Sequence, residues 1–288
     1  MLDHDALDRL LGINERNLHW VFAHNKRKYF PLVDDKITTK EILTEAGLPV
    51  PETLEIVDSF LDLDERLERL AGFDKFVVKP SKGRAGGGIL LLKNSGKRTW
   101  RTPSGRDVTE DDLVAHFGEI LFGVYSFGSN DHRVLIEELL APDPLFLDFH
   151  PVGVADIRVI LFRAQPVMAM ARVPTRDSDG KANLHQGAVG VGLDLSTGAL
   201  QRGTWKNRLV AHHPDSGRAF HGVQIPHWND VIDISVEAAR TIELNYLGVD
   251  IVLDEERGPL ILELNARPGL AIQLANETTL KPGLETLL

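Results

Sequence analysis

Apolar and polar positions alternate with two different periods along this chain, and the switches between them mark its elements. DDKITTKEILTEAGLPVPE predicts a helix starting near Asp35 and ending at Gly47, because Pro49 and Pro51 prevent continuation. SFLDLDERLERLAGF predicts a second helix. Ser59 is its expected N-cap, acids fill the first turn, and Leu63, Leu67, Leu70 and Ala71 make one apolar stripe. KFVVKP and GILLLK predict two strands joined by the glycine-rich SKGRAGG, and TEDDLVAHFGEILFGVY a helix with a Thr109–Asp112 capping pattern. RVLIEELL predicts a buried strand. From Val154 to about Thr204 the pattern gives VADIRVILF, PVMAMARV, AVGVGLDL and ALQRGTW as strands, with the polar loop PTRDSDGKANLHQG among them. WNDVIDISVEAARTIELNYL predicts a long amphipathic helix leading into a final hairpin. Strands and helices mix without strict βαβ alternation, so the expected class is α+β with mainly antiparallel sheets. A boundary is expected near Leu140, where the buried strand meets the Pro-broken APDPLF.

Composition narrows the function classes. The chain has 288 residues, no cysteine and a formal net charge of −10. An acidic chain argues against nucleic acid as a partner, since neutralising phosphates needs clustered Lys and Arg. HNKRKYF is a short basic patch that reads as a solvated face. The absence of cysteine removes disulfides, thiolate metal sites and thiol nucleophiles, and fits a reducing compartment. No uncharged apolar run approaches the ~20 residues that span a bilayer, and the charged N-terminus lacks a signal-peptide core. These features give the expectation of a cytoplasmic protein without a membrane partner.

The final hairpin poses a chemical problem. In LGVDIVLDEERGPLILELNARPGL, Asp250, Glu263 and Asn265 interrupt runs of Val, Ile and Leu. If EERG is the connecting loop, Asp254 pairs with Pro259, and counting outward sets Asp250 opposite Glu263. Like charges facing each other in an apolar sheet are unfavourable. A divalent cation resolves the conflict, and Mg²⁺ prefers such oxygen ligands. Asn265 adds a neutral oxygen two residues from Glu263. The alternative is a pair of rim carboxylates held by a nearby arginine. A second candidate is VVKPSKGRAGGGIL, where Lys79 ends a strand before a loop whose glycines let backbone N–H groups approach phosphate. It is neither a P-loop nor a dinucleotide fingerprint, because a strand follows. A ligand-free hairpin tip has the same composition.

Lys at a strand end before a Gly-rich hairpin, the strand LIEELL, and paired acidic strands ending in ELNARPGL occur in that order. Together with ADIRV and ANLHQGA they resemble the ATP-grasp superfamily, in particular the ribosomal protein S6 glutamate ligase (RimK) type and its α-L-glutamate ligase-like branch. The resemblance runs from about Asp35 to about Leu270. It implies an ATP-grasp fold of two lobes, with mainly antiparallel sheets gripping ATP between them. The expected division is a leader over 1–35, an N-terminal lobe over 36–140 with the phosphate lid, and a C-terminal lobe over 141–288 with the Mg²⁺ site.

Carried over residue by residue, the resemblance implies that Lys36 and Lys79 contact phosphates. Ser81, Gly83, Gly86 and Gly87 lie in the lid, residues 81–88. Glu138 and Leu139 meet the adenine at the hinge, and Asp156, Lys181 and Asn183 contact ATP. Arg158 and Arg172 are the catalytic arginines near the reacting phosphate and carboxylate. Asp250, Glu263 and Asn265 hold Mg²⁺, with Mn²⁺ as the alternative ion. His185, beside Asn183, reads as an ordinary loop histidine. The segment before Asp35 resembles the short leader of the glutamate-ligase-like branch in place of a Rossmann-like pre-domain. A second copy of the chain or a partner protein is therefore expected to complete the substrate site. The implied activity is ATP-dependent carboxylate–amine ligation through an acyl phosphate, with glutamate or a peptide as substrate. The alternatives are an ATP-grasp phosphotransferase and a non-catalytic ATP-binding module.

Overall fold

The computed structural model describes residues 10–83, 86–126 and 131–288. It divides into two compact units. One holds residues 35–37 and 51–140. The other holds 38–50 and 141–288 together with the N-terminal segment up to Asp34. Residues 10–34 of the stretch expected as a leader thus fall in the larger unit. Its Leu11, Trp20, Val21, Phe30 and Val33 are buried in that unit's core, and so is Leu43.

The smaller unit is a six-stranded antiparallel sheet in the order β1-β6-β2-β3-β4-β5. Its strands are β1 (Thr53–Val57), β2 (Lys75–Pro80), β3 (Leu90–Gly96), β4 (Thr99–Arg101), β5 (Asp107–Val108) and β6 (Val134–Glu138). Helices Leu63–Ala71 and Glu110–Leu121 supply Leu67, Leu70, Leu113, Phe117 and Ile120 to a core that includes Phe76, Val78, Trp100 and Ile136. Thr109 caps the second helix as expected, in a capping box with Asp112. Ser59 does not cap the first. That helix begins at Leu63 after Asp62, whose φ of 54° breaks the chain direction, and the Ser59 hydroxyl turns to Asp58.

The larger unit is a seven-stranded antiparallel sheet in the order β11-β10-β9-β8-β7-β12-β13. The strands are β7 (Asp156–Phe162), β8 (Gln165–Val173), β9 (Val189–Leu193), β10 (Leu200–Trp205), β11 (Arg208–Val210), β12 (Tyr246–Asp254) and β13 (Gly258–Asn265). The helix Trp228–Thr241 packs on this sheet through Val231 and Ala238. It is shorter than its pattern suggested, because Tyr246 and Leu247 are taken into β12 by pairing with Phe162 and Leu161.

Beside β11 two buried histidines anchor a loop. His213 Nε2–H donates to the Pro174 carbonyl at 2.8 Å, and its Nδ1 accepts from the backbone N–H of Asp215 at 3.3 Å. His150 stacks on it with ring centroids 5.8 Å apart, and its Nδ1 lies 3.6 Å from Asp215. Burial pushes both histidines below the usual value, against the pull of Asp215. The unfolded chain therefore takes up protons below about pH 6.5 that the folded chain resists. Stability from this pair is fully present above that pH and is lost as pH falls. In urea unfolding between pH 5 and 8, the stability gap between wild type and His213→Gln should shrink on the acid side. A gap independent of pH refutes the assignment.

Candidate active site

The larger unit concentrates its charge in one place. Register sets Arg158 of β7 across from Asp250 of β12, and Asp250 across from Glu263 of β13. Asp156 of β7 faces Arg172 of β8. The facing acids of the hairpin are thus present, but the ladder reaches them by another route. Asp254 pairs with Gly258 rather than Pro259, and a bulge beyond Ile251 leaves Leu262 unmatched and brings Glu263 back opposite Asp250.

The contacts in this row are those of charge-assisted forks. Arg158 donates from Nε and Nη2 to Asp250 at 2.7 and 2.5 Å. Arg172 donates from Nε and Nη2 to Asp156 at 2.5 and 2.6 Å, and Nη2 also reaches Asp250 at 2.7 Å. The Asn265 amide nitrogen lies 3.3 Å from Asp250 and 3.2 Å from Glu263. Asp250 is 0 % exposed. Burial alone would raise its pKa, but Arg158 and Arg172 outweigh burial and hold it well below the usual carboxylate range. Burial pushes Asp156 up to about 7 against the pull of Arg172, with the charge on Asp250 adding to the rise. Burial works against the Arg172 cation, and Asp156 and Asp250 overcome it.

Asp156 and Asp250 thus share the guanidinium groups of Arg158 and Arg172, and Glu263 joins the row through the Asn265 amide. No group of three or more His, Asp or Glu side chains among the described residues is placed to hold a metal ion. The two carboxylates and one amide of Asp250, Glu263 and Asn265 lie within hydrogen-bonding reach of one another. The two carboxylates fit a hard cation taking ligands from water and phosphate, and the Asn265 amide would join them through its oxygen, since here its nitrogen faces both acids.

The loop 174–187 runs from the end of β8 to the start of β9. Its Pro174 end is held by His213, and its Gly187 carbonyl accepts from Trp205 Nε1 at 2.9 Å and from Thr175 Oγ1 at 2.9 Å. Lys181 donates its backbone N–H to Ser178. The Asn183 side chain accepts from the His185 backbone N–H at 2.9 Å, so it braces its own turn. Gly153 packs flat on this loop. A Cβ there would lie 2.1 Å from the Gly180 carbonyl oxygen, and its φ is 96°.

The smaller unit carries the cations. Lys79 ends β2, is 7 % exposed and pairs with the buried Glu137 of β6. Lys36 opens the helix Lys36–Glu45, and its Nζ lies 3.4 Å from the Gly83 carbonyl. Lys82 and Arg133 converge on Asp35, at 3.4 and 3.0 Å. Ser81 is fully buried just after β2. Its N–H donates to the Arg133 carbonyl at 2.8 Å, its carbonyl accepts from Lys36 N–H at 2.9 Å, and its Oγ accepts from Arg133 N–H. The Gly88 carbonyl meets His116 Nε2 at 3.0 Å. Gly83 stands beside the Pro80 ring, and Gly86 and Gly87 form a turn. Arg84 and Ala85 lie outside the described residues. The Glu138 N–H donates to the Glu52 carbonyl, and its carboxylate accepts from Glu52 N–H at 2.6 Å. Its amide is therefore spent on β1's approach, and Leu139 follows it half-buried.

Glu137 was missed in the sequence. LIEELL offers two adjacent glutamates, and the alternation of a strand sends only one of them inward. The pairing of β2 with β6 decides which, because it sets Val77 opposite Glu137 and so brings Lys79 to the inward side chain.

A family model described as sugar-transfer associated ATP-grasp matches residues 15–287, and the chain belongs to that family. It is 27% identical over 236 residues to a probable α-L-glutamate ligase of Halorhodospira halophila, covering 82% of this chain and 56% of the relative. It is 26% identical over 236 residues to the ribosomal protein bS6–L-glutamate ligase of Escherichia coli, with 82% and 56% covered. Against a cyanophycin synthetase of Synechocystis it is 27% identical over 266 residues, covering 85% of this chain and 28% of the relative. The chain thus spans about half the length of the glutamate ligases it matches. No helix among the described residues is long and apolar enough to cross a membrane.

Breaking a buried ion pair on one side leaves an uncompensated charge. Glu137→Gln should lower the unfolding free energy by about 3 kcal/mol, whereas Lys79→Met/Glu137→Leu should recover most of that loss. A denaturant double-mutant cycle reads both, and purely additive losses would show that the pair is not coupled. Gly153→Ala should raise amide exchange across 174–187 while leaving β7 and β8 protected, and unchanged exchange there would contradict the packing described.

Proposed function

We propose that this protein is an ATP-dependent carboxylate–amine ligase that forms an amide bond through an acyl phosphate. The observation that carries the reading is the charge row of the larger unit, in which two arginines stand among three carboxyl groups. It agrees with the family, and with relatives named as glutamate ligases and a cyanophycin synthetase. Asp250, Glu263 and Asn265 would hold Mg²⁺ or Mn²⁺, which supplies charge neutralisation to the phosphates when bound. Lys36 and Lys79 would meet phosphate oxygens, and the turn at Gly83, Gly86 and Gly87 would cover them with backbone N–H groups. Glu138 and Leu139 remain the candidates for the adenine. The Glu138 carbonyl is its available group, because its N–H goes to Glu52. Asp156, Lys181 and Asn183 would line the nucleotide.

Arg158 and Arg172 each use Nε and Nη2 on aspartates, and among the described residues Nη1 of neither is hydrogen-bonded. Each thus offers a fixed, permanently charged donor to a phosphoryl oxygen or a substrate carboxylate. The carboxylate attacks the γ-phosphorus, ADP leaves, and the acyl phosphate keeps the transferred group. The amine then adds to the acyl carbon, loses its proton and expels phosphate. These arginines stabilise charge developing on the phosphoryl oxygens because they are held in place before the reaction. Glutamate or a peptide is the proposed carboxylate. The proposed setting is cytoplasmic, and a second copy or a partner protein would complete the substrate site.

With Mg-ATP and the correct carboxylate, hydroxylamine should trap the acyl phosphate as a hydroxamate with stoichiometric ADP and phosphate. A phosphorylated product, with ADP but no free phosphate and no hydroxamate, would establish a phosphotransferase instead. Glu263→Gln should abolish turnover while the fold persists. It should also raise the thermal midpoint without metal, because a like-charge conflict with Asp250 is removed. Wild-type turnover at matched Mg²⁺ would remove Glu263 from the site.

A further inference from the structure

Arg16 is a buried cation. It opens the six-residue π-helix Arg16–Val21, is 4 % exposed, and takes part in no ion pair among the described residues. Its side chain donates from Nη1 to the Pro268 carbonyl at 2.6 Å, 252 residues away, and its Nε is buried without a partner. Burial lowers its pKa, and the charge of Arg267 adds to that, against an opposite effect from Tyr246. A core position that needed only volume would hold an apolar side chain, since an uncompensated buried charge destabilises the fold. π-Helical turns are rare and concentrate at functional positions.

What Arg16 grips gives the reason. Pro268 belongs to the loop that follows Asn265 at the end of β13. Its ring sits on Gly248, where a Cβ would come within 2.7 Å of Pro268 Cβ. Gly248 pairs with Asn265 and lies two residues from Asp250 on β12. The next loop residue, Gly269, has Arg158 Nη1 3.7 Å from its Cβ position. The N-terminal segment holds the loop at a second point. Arg267 reaches Asp34 at 3.4 Å and stacks over Phe30 with its guanidinium carbon 5.2 Å from the ring centroid.

We propose that Arg16 is a positioning residue for the acidic site. It clamps the Pro268 carbonyl, so the loop 265–269 lies flat on Gly248 and Asn265 is held against Asp250 and Glu263. A charged donor makes a stronger bond to a carbonyl than a neutral one, which is the use of a cation here. The consequence for metal rests on the reading given under Proposed function. The clamp itself does not.

The test compares Arg16→Met, Arg16→Gln and Arg16→Lys with wild type by amide exchange, and by Mn²⁺ titration followed by electron paramagnetic resonance without nucleotide. In Arg16→Met, exchange across 265–270 should rise about tenfold while β7 and β12 stay protected, and Mn²⁺ affinity should fall about tenfold. Lysine keeps a charged donor for the single carbonyl and should restore both to within about threefold. Glutamine keeps one neutral donor of similar length and serves as the neutral variant where methionine fails to fold. A folded neutral variant with unchanged exchange in the loop overturns the proposal. So does one with a lower thermal midpoint but wild-type Mn²⁺ affinity, which would make Arg16 merely structural. A wild-type protein that binds no Mn²⁺ refutes the metal reading instead, and the exchange result still decides the clamp.

Discussion

Asp250 is a fully buried carboxylate on the penultimate strand of a seven-stranded sheet, and the surrounding structure is arranged to keep it charged. An ionised group in that position costs several kcal/mol in lost hydration unless it is paired and hydrogen-bonded. The pairing comes from three other strands of the sheet at once. β7 supplies Arg158, β8 supplies Arg172, and β13 supplies Asn265. Shifting β12 by one residue would turn Asp250 to the opposite face and leave both arginines without it. The register of the central strands is therefore fixed by charge as well as by apolar packing, and the same contacts that stabilise the ions aim them.

The surroundings of that row are held from far along the chain. Residues 265–269 are kept in place by Arg16, Phe30 and Asp34, and the loop 174–187 by His213, Trp205 and Gly153. In each case a flexible connection that follows a charged strand is tied down by a buried polar or aromatic group. This divides the work between a sheet that fixes the arginines and acids and outlying groups that fix the loops between them. Such an arrangement also explains why Leu11, Trp20, Val21, Phe30 and Val33 pack in the core of the larger unit.

Periodicity alone disclosed most of the strands, the capping box at Thr109 and the facing of Asp250 with Glu263. Two features hid the rest. A β-bulge changes the count without leaving a mark in the sequence. Here the assumed turn was one residue too long and the bulge one residue in the opposite direction, so the two offset each other and Glu263 still came out opposite Asp250. The other is competition for the same residues. Tyr246 and Leu247 continue the helical pattern of Trp228–Thr241, yet the sheet buries them, and Asp62 with φ of 54° starts a helix that Ser59 was expected to cap. Glu137, Arg16 and His213 were illegible for a further reason. A buried polar residue takes its meaning from a partner distant in sequence, and local pattern cannot name that partner.

The chemistry follows from how the arginines are spent. A lysine at either position would offer one point charge and would have to choose between an aspartate and a ligand. A guanidinium has five donors in a plane, so Arg158 and Arg172 can each commit two nitrogens to the row and still present the third. Because the committed nitrogens set the plane, the remaining one points in a direction decided before any ligand arrives.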